Sequence, residues 1–193
     1  MARSAAGASA RRAPEHFVLA SRSPQRRAIL EQLGVSFHVA EPQVEEETDG
    51  DPRALAIENA LRKARSVEGE RVFGVDTEVV LDGRVFGKPA DAAEAETFLR
   101  RLSGRTHEVV SGLAIRDHSG ERTDAAITRV RFRLLEQRDL DWYLASGEWR
   151  DRAGAYAIQG RGAALVAEIE GDYWNVVGLP VPALLELVPD LLA

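Results

Sequence analysis

The sequence GVDTEVVLDGRVFGKP, residues 74–89, places an acid, a hydroxyl and a lysine on two short apolar runs. Asp76 and Thr77 lie in the first run, Lys88 follows the second, and Asp82-Gly83 joins them. An Asp-Gly pair between apolar runs predicts a hairpin, because both turn positions need a positive φ. The hairpin would bring its acidic and basic ends together. One site would then contain a carboxylate that can bind a metal ion or a water. It would also contain a lysine that can bind phosphate oxygens.

The alternative is a surface hairpin with ordinary solvated charges, and this segment taken alone favours it. Asp76 argues against that interpretation, because it interrupts a run of apolar residues typical of a buried strand. Burying an unpaired carboxylate is costly, so Asp76 must be paired, bound to a metal or placed at a strand end.

A second candidate site lies where the first predicted strand meets the first predicted helix, in the sequence SRSPQRR, residues 21–27. Ser23-Pro24 is typical of a helix N-cap followed by proline at the first helical position. The N–H groups at a helix N-terminus favour an anion, and arginine adds a bidentate clamp. A solvated basic helix is the alternative, but cations at this end of a helix are unfavourable without an anion, which favours phosphate binding.

Other features are ambiguous from residue types alone. The acidic run 45–47 is either solvated or supplies one carboxylate to Mg²⁺ or Mn²⁺, which prefer oxygen ligands. Lys63 lies on a helix flank, where surface lysines are the norm. Three glycines within 154–162 indicate a sharp turn or a close approach, and Gln159 among them could contact a base edge or brace the loop.

Two weaker signals favour structural roles. His107 has no partner at the spacing of metal ligands, so a capping or structural role is the better interpretation. The arginines on one face of the predicted strand 128–134 could line a phosphate cleft, but an ordinary exposed strand face explains them more simply.

Composition narrows the classes of partner and location. The chain of 193 residues is 45% hydrophobic and 29% charged, which suits one globular domain or two small lobes with a shared core. Its net charge of −6 repels nucleic acids and anionic membranes, so neither is expected as a partner. It has no cysteine, which excludes disulfides and thiolate metal sites and favours a reducing compartment, the cytoplasm. No apolar run is long enough to predict a membrane span.

Strands and helices interleave along the chain, which predicts the α/β class. The predicted strands cover 17–21, 35–39, 109–115 and 128–134. Predicted helices begin after Ser23, Asp51 and Asp91, and a further helix covers about 136–146. Residues 1–15 are rich in Ala, Ser and Arg and are predicted to be a disordered tail, with a start codon placed too early as the alternative. Residues 16–193 are predicted to be the domain.

Taken in order, these motifs resemble those of the Maf family of nucleoside triphosphate pyrophosphatases, once called septum-formation inhibitors. The matching sequences are LAS-x-SP-x-R from residue 19, EE at 45, KA at 63, G-x-DT at 74, GKP at 87, LSGRTH at 102, AGAY-x-IQG at 153, GDY at 171 and VGLP at 177. The resemblance covers roughly residues 17 to 188. Each motif is weak alone, but their order makes chance similarity very improbable.

The resemblance implies a two-lobed fold like that of inosine triphosphatases, with a mixed sheet flanked by helices around a central cleft. It implies hydrolysis of a nucleoside triphosphate to a monophosphate and pyrophosphate with Mg²⁺ or Mn²⁺. Asp76 would accept the proton of the attacking water, and Glu46 and Asp76 would hold the metal. The residues that would bind substrate are Ser21, Gln25, Arg26, Lys63, Thr77, Lys88 and Gln159.

The GAY-x-IQG sequence resembles the subgroup that prefers dTTP and UTP, and the amide of Gln159 can pair with the edge shared by thymine and uracil. Four residues depart from the family pattern. Gln25 replaces an arginine at a position linked to substrate choice, Arg152 replaces a lysine, Ala157 replaces a glycine, and Glu78 replaces an apolar residue.

Several alternatives stay open at the level of sequence. One is a pyrophosphatase for purine or modified nucleotides, which Gln25 supports. Another is a nucleotide-binding regulator of septation that does not catalyse. A second copy of the chain is a candidate partner.

Overall fold

The computed structural model describes residues 17–192, so the predicted tail lies outside the described residues. The strands are β1 (Phe17–Ala20), β2 (Phe37–Ala40), β3 (Arg71–Leu81), β4 (Arg84–Phe86), β5 (Thr106–Asp117), β6 (Gly120–Phe132) and β7 (Val166–Glu170). The α-helices are α1 (Pro24–Gln32), α2 (Pro52–Arg65), α3 (Ala92–Leu102), α4 (Gln137–Leu144), α5 (Tyr173–Val177) and α6 (Val181–Leu187). Two short 3₁₀ turns cover Ala153–Ala155 and Arg161–Leu165.

The strands form one mixed sheet in the order β2-β1-β3-β5-β6-β7, and β4 pairs with β3 beside that path. β1 runs parallel to both β2 and β3, whereas the other pairs are antiparallel. Helices cover the sheet, which confirms the predicted α/β class. Among the described residues, no helix is both long enough and apolar enough to cross a membrane.

The predicted hairpin is present, and its turn residues Asp82 and Gly83 have φ values of 52° and 73°. Its first arm is longer than the sequence suggested, because β3 continues for 11 residues. β1 pairs with β3 at 71–74 and β4 pairs with it at 79–81, both on the edge opposite β5. Residues 75–78 therefore pair with β5 but have neither β1 nor β4 beside them. Asp76 lies at this opening in the middle of a strand, not at its end.

Helix α2 packs directly on the sheet because two glycines leave room for its backbone. A Cβ on Gly74 would lie 2.1 Å from the carbonyl oxygen of Ala60. A Cβ on Gly112 would lie 2.2 Å from the backbone of Ala56. Gly112 is also the β5 partner of Asp76, so this contact brings α2 against the opening in the sheet.

The two largest hydrophobic cores lie on either side of the opening. One core packs α3 and α4 against β4 and β6, with Leu99 and Tyr143 fully buried. The other packs α1 and α6 against β1, with Leu30 and Leu184 fully buried. The first helix begins as predicted, because Ser23 caps α1 through the backbone N–H of Arg26.

The arginines of β6 and the segment that follows it do not line the cleft between the lobes. Arg129 and Arg131 form ion pairs with acids of the neighbouring strands, and Arg133 pairs with Asp139 at 2.8 Å. The simpler interpretation of an exposed strand face therefore holds. Leu134, the last residue of the predicted strand, lies beyond the end of β6 and is 76% exposed.

Candidate active site

A cleft of about 900 Å³ opens beside residues 75–78 of β3, between the N-terminus of α1 and the segment 150–159. Its volume suits a ligand of nucleotide size. The cleft brings together every residue that the sequence proposed for the site. These are Ser21, Gln25, Arg26, Glu46, Lys63, Asp76, Thr77, Lys88 and Gln159.

Lys63 joins the two carboxylates proposed as metal ligands. Its Nζ lies 2.5 Å from Oδ1 of Asp76 and 2.5 Å from Oε1 of Glu46. Lys63 and Asp76 are both buried, so the ammonium compensates a carboxylate that would be costly to bury alone. The interpretation of Lys63 as an ordinary surface lysine was wrong, because α2 turns this side chain towards the sheet.

Asn59, one turn before Lys63 on α2, holds the acidic loop in place. Its Oδ1 accepts a hydrogen bond of 2.7 Å from the backbone N–H of Glu47, and its Nδ2 donates to the carbonyl oxygen of Glu47 at 3.0 Å. Nδ2 also donates to Oδ2 of Asp76 at 3.4 Å. The fully buried Asn59 amide therefore fixes the backbone next to Glu46 relative to Asp76. Sequence reasoning missed this residue, although a lone asparagine in the alanine-rich face of a helix was a usable signal.

Arg26 connects α1 to the open edge of β3. Its Nη1 donates to the carbonyl oxygen of Val75 at 2.9 Å and to Oγ of Ser21 at 3.2 Å. Its Nη2 donates to Oγ1 of Thr77 at 3.0 Å, and its Nε donates to the carbonyl oxygen of Gly178 at 2.9 Å. Desolvation lowers the pKa of Arg26, and nearby carboxylates partly offset this effect. Most of its donors are engaged within the protein, which leaves one Nη2 hydrogen for a ligand.

Thr77 has a second partner that the sequence did not indicate. Its Oγ1 lies 2.9 Å from Oγ of Ser111, the residue opposite it on β5. Ser111 is fully buried, so the hydroxyl pair fixes the Thr77 side chain at the edge of the cleft.

Lys88 lies at the exposed end of the hairpin. The backbone N–H of Gly154 donates to the carbonyl oxygen of Gly87 at 3.1 Å, which anchors the hairpin end to the glycine-rich segment. Burial alone would raise the pKa of Glu46, but the charge and hydrogen bond of Lys63, followed by the charges of Lys88 and Arg26, bring it below its ordinary value. Lys88 thus contributes positive charge near the carboxylates.

Glu78 shares the face of β3 that carries Asp76, because side chains two residues apart on a strand lie on the same side. Burial is the main reason that the pKa of Glu78 rises to about 8, and the charges of Asp76 and Glu46 raise it further. A cation bound nearby would reverse this effect.

Gln25 forms a hydrogen bond with a residue far along the chain. Its Oε1 accepts hydrogen bonds from Oγ of Ser23 at 3.2 Å and from Nη1 of Arg152. Both Gln25 and Arg152 line the cleft. Both residues depart from the family pattern, and the structure places them in contact.

The glycine-rich segment closes the far side of the cleft. Gly154 has a φ of 66°, and a Cβ there would lie 2.8 Å from the side chain of Val79. Gln159 is exposed in the cleft wall, and its side chain makes no hydrogen bond within residues 17–192. Nothing in the described part of the chain therefore indicates a loop-bracing role for it. His107 instead has the expected structural role, with Nε2 2.9 Å from Oη of Tyr156 in the core.

The donor set near Asp76 fits a hard divalent cation. Asp76 and Glu46 supply carboxylate oxygens, which Mg²⁺ and Mn²⁺ prefer. Within residues 17–192 no group of three or more His, Cys, Asp or Glu side chains is placed to hold a metal ion. Two carboxylates without a complete protein cage match the usual mode of Mg²⁺, which borrows substrate phosphates and water for its remaining ligands.

Comparisons with known proteins show which family this chain resembles. A family model described as "Maf-like protein" matches residues 16–191. The dTTP/UTP pyrophosphatase of Symbiobacterium thermophilum is 50% identical over 86% of this chain and 89% of its own length. The dTTP/UTP pyrophosphatase of Thermus thermophilus is 46% identical over 89% of this chain and 92% of its own. One solved structure, the Staphylococcus aureus Ham1 protein, aligns with a TM-score of 0.45 and 16% identity, over 61% of this chain and 72% of that chain.

Proposed function

Because this chain belongs to the Maf family, we propose that it is a nucleoside triphosphate pyrophosphatase that hydrolyses dTTP and UTP. The products are the nucleoside monophosphate and pyrophosphate. The dTTP/UTP pyrophosphatases of Symbiobacterium thermophilum and Thermus thermophilus are 50% and 46% identical to it across most of both chains. The observation that carries the proposal is the placement of Lys63 between Asp76 and Glu46, in a cleft that also holds the N-terminus of α1.

Cleavage between the α- and β-phosphates requires an oriented water and compensation of negative charge on the phosphate oxygens. We propose that Asp76 orients this water. Its carboxylate is held by Lys63 and Asn59 and faces the cleft. As the proton moves from water to Asp76, the oxygen of the water forms the bond to the α-phosphorus. Pyrophosphate leaves from the opposite side of that phosphorus.

Positive charge for the phosphates comes from both sides of the opening. Lys88 lies at the hairpin end, and Arg26 has one donor left at the start of α1. Ser21 and Thr77 add hydroxyl groups beside Arg26. These groups orient the triphosphate and compensate the charge that develops on the leaving oxygen.

The Maf family generally uses divalent cations, and we propose Mg²⁺ or Mn²⁺ for this chain. Glu46 and Asp76 would hold the ion. When bound, it would polarise the phosphate oxygens and neutralise part of their charge. The cytoplasmic location and the second copy as partner stay predictions.

For the base, we propose that Gln159 reads the N3–H and O4 edge common to thymine and uracil. Its exposed position in the cleft wall, with no bracing hydrogen bond in the described residues, supports this role. An amide supplies both an acceptor and a donor, which matches that edge. Cytosine presents the donor and the acceptor in reverse, so pairing with it requires the amide to turn over.

The test is a panel of nucleoside triphosphates incubated with the purified protein and Mg²⁺ or Mn²⁺. We expect dTTP and UTP to give the monophosphate and pyrophosphate at the highest kcat/KM. If purine or modified triphosphates were hydrolysed preferentially, the proposed preference for dTTP and UTP would be rejected. The proposed pyrophosphatase reaction would be retained. Binding of nucleotides with no turnover of any would favour the non-catalytic septation regulator.

A further inference from the structure

Some of the cationic side chains that line the cleft are already paired with carboxylates of the protein and are not free to bind a ligand. Arg22, Arg26, Lys63, Lys88, Arg150 and Arg152 line it, together with five carboxylates. The charge of Lys63 is compensated by Asp76 and Glu46. A triphosphate therefore needs positive charge that the protein has not already used.

Arg152 differs from Lys63 and Arg22 because its side-chain partner is neutral. Its Nη1 donates to Oε1 of Gln25, which removes no charge from the guanidinium. Its Nε is buried and has no hydrogen-bond partner among the described residues. Arg22, in contrast, lies 3.5 Å from a carboxylate oxygen of Glu41. Arg152 thus keeps both a full charge and an unused donor.

Gln25 fixes where that charge lies. A guanidinium only donates hydrogen bonds, so the amide oxygen of Gln25 must face Arg152 and its Nε2 keeps two N–H donors. Ser23, the N-cap of α1, donates to the same Oε1 and thereby orients the amide. The contact spans 127 residues of sequence and joins the start of α1 to the glycine-rich side of the cleft.

We infer that Gln25 and Arg152 form one unit, in which Gln25 positions the guanidinium of Arg152 to bind the triphosphate of the substrate. The inference rests on the proposed function, since the ligand is taken to be a triphosphate. Arg152 is the binding group, and Gln25 is a positioning residue that acts through it. The cation that an arginine at position 25 would supply comes here from across the cleft.

The first test measures the affinity for inorganic tripolyphosphate by titration calorimetry, which needs neither a base nor turnover. Arg152→Ala should weaken binding about tenfold, the effect of losing one hydrogen bond to a charged group. Gln25→Ala should weaken it several-fold. The double variant should bind no worse than Arg152→Ala alone, because Gln25 acts through Arg152.

Gln25→Glu distinguishes two roles for the contact between Gln25 and Arg152. Either Arg152 supplies free positive charge to the ligand, or the contact only holds the two sides of the cleft together. Glutamate keeps an oxygen acceptor for Arg152 but neutralises the guanidinium, so tripolyphosphate binding should fall as far as in Arg152→Ala. A structural clamp would be strengthened by the same change, and binding would be retained. Arg152→Lys should recover part of the affinity. The control is Arg138→Ala, which removes an exposed cation paired with Glu136 on α4 and should leave the affinity unchanged.

Kinetics with UTP provide the second readout. Arg152→Ala and Gln25→Ala should raise KM while kcat changes by less than about threefold, because the pair binds phosphate and does not activate water. Independent, additive losses in the double variant, or unchanged tripolyphosphate binding in Arg152→Ala, would overturn the inference. Failure of the wild-type protein to hydrolyse UTP would reject the proposed function, and the tripolyphosphate series would still decide the inference.

Discussion

Nζ of Lys63 lies 2.5 Å from Oδ1 of Asp76, and this contact joins α2 to the centre of β3. It depends on Gly74 and Gly112, which let the helix backbone approach the sheet closely. The same ammonium contacts Glu46, so one side chain holds both carboxylates on which the proposed chemistry depends.

The first prediction concerns the proton acceptor. Asp76→Asn keeps the shape of the side chain and removes both the base and the charge, so turnover of UTP should fall by about 10² or more. Circular dichroism and thermal unfolding should show a retained fold. Asp141→Asn changes an exposed carboxylate of α4 in the same way and should leave turnover unchanged. Near-normal turnover in a folded Asp76→Asn protein would show that another group orients the water.

A second prediction concerns the amide that holds the acidic loop. Asn59→Ala leaves the backbone N–H and carbonyl of Glu47 without their partner, which should lower the free energy of unfolding by about 1–3 kcal/mol. Because Glu46 loses its support, the concentration of Mn²⁺ for half-maximal turnover should rise at least several-fold.

Asn175→Ala is the matched control for this variant. Asn175 is also fully buried and donates to the carbonyl oxygen of Val109 and to Thr128, away from the carboxylates. It should destabilise the protein similarly without changing the Mn²⁺ requirement. An unchanged requirement in Asn59→Ala as well would limit Asn59 to a structural role.

Most of the helices and strands and the hairpin turn followed from the sequence because capping residues, turn residues and apolar periodicity are local signals. The short elements β7 and α5 were not predicted. The position of Asp76 at the opening could not be predicted from the sequence. Residues 75–78 have no strand on one side because β1 ends before them and β4 begins after them along β3. The role of Lys63 came from the family resemblance, because nothing in its own helix shows how closely α2 packs. The contact between Gln25 and Arg152 spans 127 residues, and no local pattern indicates it.

The third prediction concerns pH and stability through His107. Burial lowers the pKa of His107 to about 4, so the folded protein keeps this ring neutral. The unfolded chain takes up the proton below pH 6.5, so the contribution of His107 is complete above pH 6.5 and is lost as the pH falls towards 4. His107→Gln removes this titration, and the difference in unfolding free energy between wild type and variant should change by about 3 kcal/mol across that window.

This difference must be measured against the variant, because Glu78 acts in the opposite direction. The raised pKa of Glu78 makes the folded state bind more protons than the unfolded chain between pH 4.5 and about 8. Subtracting the His107→Gln curve from the wild-type curve, both from urea unfolding, removes that contribution. A difference that does not vary with pH would show that His107 titrates normally in the fold.

The fourth prediction concerns base choice. Gln159→Ala should reduce the preference for UTP over CTP in kcat/KM, at a cost to UTP of about 1–3 kcal/mol of transition-state binding. CTP is the internal control, because cytosine presents the donor and acceptor of that edge in reverse. Equal losses for UTP and CTP would place base recognition elsewhere in the cleft.

The central claim is that water attacks the α-phosphorus, and hydrolysis of UTP in H₂¹⁸O tests it most directly. Mass spectrometry of the products should find one ¹⁸O atom in UMP and none in pyrophosphate, because the oxygen of the water forms its bond to the phosphorus that remains on the nucleoside. Label in pyrophosphate would place the attack on the β-phosphorus. Orthophosphate carrying the label, with UDP as the other product, would place it on the γ-phosphorus, and either result would contradict the assignment.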